Sequence, residues 1–269
     1  MDNTTLKKGV RLLPVILIMV FILLPVAVVV WISFFKSQII LFPPAGYSLK
    51  WYANLANKPN FISGALLSLE VAAIAMVCSV IIGTMTSLAL SQRRFKYRNL
   101  AQTFFLSPLV VPSVVTGIAI YVTLTYVEQM VSLNLVPTTP VLILGHVIIT
   151  IPWTIRLVSS GLTGVNPLLE EAGLNLGANR FQAFVLIILP QLRPSIMAAA
   201  IMSFIISFGN LEISLMLIGP GQYLLPIETL NYVLWTLDPT IAALSTLQIV
   251  MVFILLLITD RIVGLSNMF

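Results

Sequence analysis

Residues 166–178 read NPLLEEAGLNLGA, and the sequence IILP follows at 187–190, with nine residues between it and Gly177. This stretch is polar, contains several residues typical of helix ends, and stands between long apolar segments. It predicts a structured connector, spanning about 163–194, that joins two membrane-crossing helices without crossing the membrane itself.

The two ends of a short helix can be recognised within this connector. Asn166 is a favourable N-cap, and the proline that follows it suits the first helical position. Glu170 and Glu171 come in the first turn, where carboxylates interact favourably with the helix dipole. Gly177 fits the residue just past a helix end, where φ is positive. A helix is therefore predicted at about 167–176.

A second helix is predicted from about 179 to 188, after which Pro190 and Pro194 bend the chain back into the membrane. Apolar residues recur at helical spacing along the first helix, which gives it an apolar face with no obvious partner in the chain. This face comprises Leu168, Leu169, Ala172 and Leu176. A generic helix pair of this kind is also explained by a connector that packs only on its own membrane helices.

The composition predicts that most of the chain is surrounded by lipid. Charged residues make up 9% of the 269 residues and hydrophobic residues 59%, and the mean hydropathy is +1.05. Soluble domains contain about 25% charged residues, so this composition cannot supply a polar surface. Six apolar segments reach the roughly 20 residues that a helix needs to cross a bilayer, and they lack the alternation of barrel strands. They lie at about 12–35, 61–90, 100–127, 136–158, 195–218 and 241–263.

The predicted fold class is therefore an all-α membrane protein with six transmembrane helices and a cytoplasmic helical loop between the fourth and fifth. One transmembrane domain is expected over residues 1–269. The first segment is too long for a signal-peptide core, and no small-residue cleavage site follows it, so a retained span is expected. In the loop after it, a short interfacial helix is predicted near Ser48, with Trp51 and Tyr52 at the level of the lipid headgroups.

Lysine and arginine are distributed unequally between the two sides of the predicted spans. With the N-terminus inside, 11 of the 14 fall on the inside and 3 on the outside. Because cytoplasmic loops are enriched in Lys and Arg, both termini are predicted to be cytoplasmic. The net charge of +5 follows from this asymmetry, and no basic face with interleaved aromatics indicates nucleic-acid binding. The inside set is Lys7, Lys8, Arg11, Arg93, Arg94, Lys96, Arg98, Arg156, Arg180, Arg193 and Arg261, and the outside set is Lys36, Lys50 and Lys58.

A few polar side chains fall inside the predicted spans. Glu70 and Glu212 are the acids well inside apolar segments, where a carboxylate is costly and indicates a function. Glu212, with Asn210 nearby, is the better candidate for contact with a cationic solute, whereas a hydrogen bond to another helix is favoured for Glu70. His146 is predicted to be packed and hydrogen-bonded, and an alternative is that it holds the inner end of the fourth span against the loop.

Pro108 and Pro112 predict a bent or broken start to the third span, and bent helices often line a pathway. Cys78 is the single cysteine and is predicted to be a small packing residue. The sequence contains no nucleophile with a base and no set of metal ligands, so neither a catalytic site nor a metal or other cofactor is predicted. It also lacks a G-x-x-x-x-G-K-[ST] phosphate loop, so ATP hydrolysis by this chain is not expected.

The connector resembles the EAA loop of ABC importer permeases, whose pattern is Glu-Ala-Ala, three residues, Gly, nine residues and Ile-x-Leu-Pro. The matching residues are Glu171, Ala172, Gly177, Ile187, Leu189 and Pro190. Gly173 replaces the second Ala, which weakens helix propensity by about 1 kcal/mol but requires no side-chain chemistry there. The resemblance covers about 11–264 and is greatest to the polyamine/opine/phosphonate branch, in particular to the second permease of spermidine/putrescine-type systems. It is also carried by the segments 50–52, 107–112, 145–152, 207–212 and 219–220.

This resemblance implies the permease subunit of an ATP-driven, binding-protein-dependent importer in the bacterial cytoplasmic (inner) membrane. The implied partners are an ATP-binding cassette ATPase dimer that hydrolyses the ATP, a second permease subunit, and an extracytoplasmic substrate-binding protein. The resemblance favours a different chain over a second copy as the second permease. The residues implied in coupling to the ATPase are Leu168, Glu170, Glu171, Ala172, Gly173, Gly177, Ala178 and Pro190. Those implied in the substrate pathway are Pro108, Pro112, Asn210 and Glu212.

Two other classes of membrane protein remain open from the residues alone. An ion-coupled secondary transporter would explain acids inside the spans and kinked helices, but no internal inverted repeat is recognisable. A structural or assembly protein would not depend on ATP at all. The substrate also stays open, because polyamine permeases often carry acids where this chain has Gly209 and Asn210, and opines, aminophosphonates and ferric iron are further candidates.

Overall fold

The computed structural model describes residues 3–91 and 97–263. Regular structure within these residues is helical, apart from one isolated bridge between Phe35 and Tyr47, so the predicted all-α class is confirmed. The helices are α1 (Asn3–Ile32), α2 (Lys50–Ala56), α3 (Pro59–Ser91), α4 (Arg98–Leu106), α5 (Ser113–Val131), α6 (Thr139–Thr163), α7 (Pro167–Asn175), α8 (Arg180–Ala183), α9 (Leu189–Gly209), α10 (Leu211–Leu217), α11 (Leu225–Trp235) and α12 (Thr240–Val263). Between them lie a 3₁₀ turn at Ser107–Leu109 and a π-helical turn at Phe184–Ile188.

Six helical segments in the described residues are long and apolar enough to cross a membrane, as predicted. The third begins later than expected, because the chain leaves the helical path between α4 and α5, next to Pro108 and Pro112. The fifth ends earlier than expected, because the chain leaves the helical path at Asn210. The segments are Pro14–Ile32, Pro59–Ser91, Ser113–Val131, Thr139–Thr163, Arg180–Gly209 and Thr240–Ile258. The basic residues Arg93, Arg94 and Lys96, which contribute to the predicted orientation, lie outside the described residues.

Pro190 and Pro194 do not end the helical path, and the bend expected at them stays a prediction. The helical path continues from Arg180 to Gly209 through α8, the π-helical turn and α9, with Pro190 in the first turn of α9. In an α-helix, a proline ring collides with the carbonyl group four residues earlier. The wider π-helical turn directly before α9 changes the hydrogen-bond register at that point, so the helix accommodates Pro190 without ending.

The chain forms two compact units, of which one comprises the residues up to Pro59 together with Thr229–Met251. Its short helix α2 confirms the helix predicted near Ser48. Trp51 of α2 is buried, however, and its indole Nε1 donates a hydrogen bond to the carbonyl oxygen of Phe35 at 2.6 Å. Trp51 therefore anchors the loop inside this unit, and the level of Trp51 and Tyr52 relative to the lipid headgroups stays a prediction. The single domain expected over 1–269 stays a prediction.

The second unit comprises Asn60–Glu228 together with the residues from Val252 onwards, and α6 is its most buried helix. Small residues of α3 face α6: a side-chain carbon added to Gly83 would lie 2.6 Å from Cβ of Thr154, and Ser79 hydrogen-bonds to Thr150. Such residues let two membrane helices approach closely. This stripe was not recognised from the sequence, and its residues with a contact to α6 are Ser79, Gly83 and Ser87. Gly64 and Ser68, earlier on α3, contact the chain at the start of α11 instead.

Candidate functional site

Helix α7 lies in the connector and begins as the sequence predicts. Asn166 has an extended backbone, and its side-chain Oδ1 accepts a hydrogen bond from the backbone N–H of Leu168 at 3.0 Å. Pro167 is the first helical residue, and Glu170 lies in the first turn. The bond to Asn166 satisfies one of the four N–H groups that a helix start leaves without a partner, so the beginning of α7 is fixed by its own sequence.

The other end of α7 is also fixed locally. Gly177 has a φ of +93°, as predicted for the residue just past the helix. Its N–H donates to the carbonyl oxygen of Leu174 at 3.1 Å, and the N–H of Ala178 donates to that of Gly173, also at 3.1 Å. This pair of bonds is the Schellman motif, which closes a helix around a left-handed residue. Both ends of α7 are therefore defined by the connector alone.

Helix α7 presents its apolar side chains outward. Leu168 is 65% exposed and Leu176 is 89% exposed, and Leu169, Glu171 and Ala172 are exposed as well. A short helix with exposed leucines gains little by burial within its own chain, since each fully buried leucine contributes about 1.5–3 kcal/mol. The predicted apolar face thus exists and is free in this chain, which makes it suited to a groove on another protein.

The opposite side of α7 packs against the π-helical turn. Gly173 is buried, and a side-chain carbon added to it would lie close to Cδ1 of Ile187. The expectation that Gly173 merely weakens the helix was therefore incomplete, because its small size lets α7 approach the turn. Asn179 and Gln182 form a reciprocal capping box at the start of α8, with both bonds at 2.9 Å. The Asn-x-x-Gln spacing could have revealed this cap in the sequence.

The helical path through the fifth span is broken at Asn210. The side-chain Oδ1 of Asn210 accepts a hydrogen bond from the N–H of Ile213 at 2.9 Å, and the hydroxyl of Ser214 donates to the Asn210 carbonyl oxygen. The break is therefore satisfied by hydrogen bonds within the chain, as irregular backbone inside a membrane requires. Discontinuous helices are common at the substrate sites of transporters.

His146 of α6 connects the two sides of this break. Its Nδ1 lies 2.9 Å from the hydroxyl oxygen of Ser207 on α9, and its Nε2 lies 3.2 Å from that of Ser214 on α10. The prediction of a packed, hydrogen-bonded histidine is confirmed. Its ring is far from α7, since α6 continues for more than four turns after it, so the alternative of a contact with the connector is wrong.

The four predicted pathway residues do not meet in one pocket. Pro108 lines a cleft of about 450 Å³ beside α5, whereas Pro112 is exposed and caps the start of α5. Neither Asn210 nor Glu212 lines that cleft. Helix α10 does pack against α5, because Gly117 lies close to Met216.

Of the two acids predicted inside the spans, only Glu70 lies within one, because Glu212 lies on α10, after the fifth span ends at Gly209. Glu212 is exposed in the first turn of α10, and Glu70 is exposed on α3. Among the described residues, the Glu70 carboxylate forms no hydrogen bond, so the predicted bond to another helix of this chain is absent. A carboxylate inside a membrane is costly unless water, a cation or a donor meets it, and this applies to Glu70 on the second span.

The sequence and the fold were compared with known proteins. A family described as "Binding-protein-dependent transport system inner membrane component" matches residues 79–267. The chain is 29% identical over 238 residues to the putrescine transport system permease protein PotI of Escherichia coli (strain K12), which covers 88% of this chain and 84% of that protein. It is 28% identical over 247 residues to the putative 2-aminoethylphosphonate transport system permease protein PhnV of Salmonella typhimurium, which covers 92% of this chain and 90% of that protein.

Two solved structures resemble the fold. A chain of a bacterial ABC transporter involved in the import of the acidic polysaccharide alginate superposes with a TM-score of 0.70 at 14% identity, covering 97% of this chain and 98% of that chain. A chain of the MetNI methionine ABC transporter superposes with a TM-score of 0.61 at 18% identity, covering 76% of this chain and 94% of that chain. At these identities, the likenesses establish the fold and nothing more.

Proposed function

The chain belongs to the family of binding-protein-dependent transport system inner membrane components, and on that premise we propose that it is one permease subunit of an ATP-driven importer. It forms half of the translocation pathway, while a separate ATP-binding cassette ATPase dimer supplies the energy. A second permease chain forms the other half, and an extracytoplasmic binding protein delivers the solute.

The observation that carries this proposal is α7. This helix is capped at both ends within the connector, yet its leucines are exposed. A helix with an exposed apolar face and a charged first turn suits a groove in a partner protein. In the proposed complex, α7 is the coupling helix, with Leu168, Ala172 and Glu171 at the ATPase and Gly177 holding its end.

Gly173 and Pro190 have supporting roles in the coupling loop. Because Gly173 packs against Ile187, movement of α7 is transmitted to the π-helical turn and from there to α9, which starts around Pro190. Glu170 lies in the first turn of α7, and the N–H of Ala178 donates to the Gly173 carbonyl oxygen at its other end. Force applied by the ATPase would thus reach a membrane-crossing helix through the packing of α7 against the π-helical turn.

The coupling loop is cytoplasmic in this proposal, and so are both termini. The asymmetry of Lys and Arg supports this orientation. It also places the long loop after α1 outside, where a binding protein delivers the solute.

The solute is proposed to be a small organic molecule of the polyamine-like or aminophosphonate-like kind that the named relatives carry. Glu212 supports a solute that carries a cationic group, because its carboxylate is exposed in the first turn of α10, directly after the break in the helical path at Asn210. Asn210 shapes the pathway by fixing that break. The prolines contribute by ending the helical path before α5, and Pro108 also lines the cleft beside it.

Co-purification tests the proposal. A tagged chain extracted in mild detergent should bring down an ATPase with a phosphate loop and a second permease with six spans. Glu171→Ala and Gly177→Pro should weaken ATPase retention and ATP-driven uptake while membrane insertion stays normal. A homodimer that carries solute along an ion gradient without ATP would instead establish a secondary transporter.

A further inference from the structure

A small polar cleft of about 180 Å³ lies where α3 and α6 end and α4 begins. Ser91 is the last residue of α3, Arg98 is the first of α4, and Thr163 is the last of α6. Helix α6 has 25 residues, about 37 Å, which exceeds the roughly 30 Å of a bilayer's hydrocarbon core. An α6 that crosses the bilayer therefore ends at or beyond the edge of the hydrocarbon core, and the cleft lies at that end of the helix.

Some of the hydroxyl groups that line the cleft are already used as donors. Ser87 donates to the carbonyl oxygen of Gly83, Ser91 donates to that of Leu88, and Thr163 donates to that of Ser160. Their oxygens face the cleft region as acceptors only, so they do not supply the donors that an anion needs.

Three other side chains supply unused donors. Within the described part of the chain, the guanidinium group of Arg98, the amide of Gln102 and the hydroxyl of Ser159 form no hydrogen bond, although all three line the cleft. Gln102 and Ser159 are half-buried, so their donors are partly removed from water. Half-buried donors that lack a hydrogen bond are costly, so a bound acceptor stabilises them more than it would stabilise exposed donors.

The charge of the cleft is positive. None of the described residues that line it is acidic, and Arg98 is positively charged. Arg98 also stands at the N-terminal end of α4, where the N-cap Tyr97 provides no side-chain hydrogen bond to the free N–H groups. The dipole of α4 adds to the positive potential at this point.

The cleft also has an apolar part, formed by Leu90 and Leu162. Leu90 is buried, and Leu162 is half-buried. An inorganic anion gains nothing from these two leucines, but a molecule with an anionic head and a hydrocarbon tail would contact both parts of the cleft.

We propose that this cleft binds the phosphate group of a membrane phospholipid. A guanidinium group and an amide are suited to phosphate oxygens, because charge-assisted bonds to phosphate are short and strong. Free inorganic phosphate can form the same bonds. The position of the cleft at the end of a membrane-crossing helix and its two leucines favour the lipid. The bound lipid would hold the ends of α3, α4 and α6 together close to the start of α7.

The test measures lipid binding to the full chain, purified with its partners in mild detergent. Thermal unfolding is followed while dioleoylphosphatidylglycerol, dioleoylglycerol or sodium phosphate is added. The phospholipid should raise the melting temperature in a saturable way, dioleoylglycerol should not, and sodium phosphate should act only at much higher concentration. Arg98→Gln should weaken phospholipid binding about tenfold, as expected for loss of a charge-assisted bond.

Arg261→Gln is the matched control, because Arg261 is an exposed arginine at the end of α12 that does not line the cleft. It should leave the phospholipid effect unchanged, and Arg98→Lys should retain part of it. Equal stabilisation by dioleoylglycerol, or equal loss in both arginine variants, would overturn the proposal. If sodium phosphate alone reproduced the full effect and depended on Arg98, the phosphate site would stand and a free anion would be its ligand.

Discussion

Gly177→Ala is the most direct test of how α7 couples to its partner. Gly177 has a φ of +93°, and a side-chain carbon added there meets no atom within 4 Å, so the substitution introduces backbone strain without a clash. A left-handed conformation costs an L-residue about 1–2 kcal/mol. If only the capped helix binds the ATPase, this cost should lower its affinity about 5- to 30-fold.

Gly221→Ala is the matched control, because Gly221 has a φ of +75° and equally open surroundings but lies in the loop after α10. The assay titrates purified ATPase onto the permease complex in detergent and follows both binding and ATP hydrolysis. Gly177→Ala should weaken binding and lower the stimulated hydrolysis, whereas Gly221→Ala should leave both near the wild-type values. Wild-type affinity of the Gly177→Ala complex, or an equal loss in the control, would refute the role assigned to the cap.

Substitutions at Gly83, His146 and Glu212 test three further features of the structure, the last two with a comparison variant. Gly83→Val should lower the melting temperature, since overpacking against Thr154 costs about 1–3 kcal/mol, and normal stability would contradict the close packing of α3 on α6. His146→Leu should destabilise by about 2 kcal/mol by leaving the buried Ser207 hydroxyl without its partner, whereas the Ser214 hydroxyl keeps its bond to Asn210, and His146→Gln should recover part of this in the same unfolding assay. Glu212→Gln should reduce uptake of a cationic solute more than of a neutral analogue, and Glu70→Gln should not discriminate between them; equal effects would remove Glu212 from the pathway.

The ends of α7 could be predicted because each depends on residues close to it in sequence. Asn166 bonds to Leu168, and Gly177 closes the helix around its own last turn. The six spans could be predicted because hydrophobicity over about 20 residues is also a local property.

Contacts between distant residues could not be predicted in the same way. The close packing at Gly83 depends on Thr154 of α6, which lies far away in the sequence. His146 could be expected to be hydrogen-bonded, but its partners depended on a break in another span. Proline alone did not predict where a helix ends. The chain leaves the helical path near Pro112, whereas the path continues through Pro190 after a π-helical turn.

The close contact between α3 and α6 determines which parts of the second unit can change shape. Helices whose backbones meet through Gly83 and a bond from Ser79 to Thr150 cannot slide past each other without opening a cavity or losing a buried hydrogen bond. Sliding of α3 along α6 is therefore unfavourable. We expect rearrangements of the second unit to occur instead at residues outside its helices, among them 110–112 before α5 and Asn210 before α10.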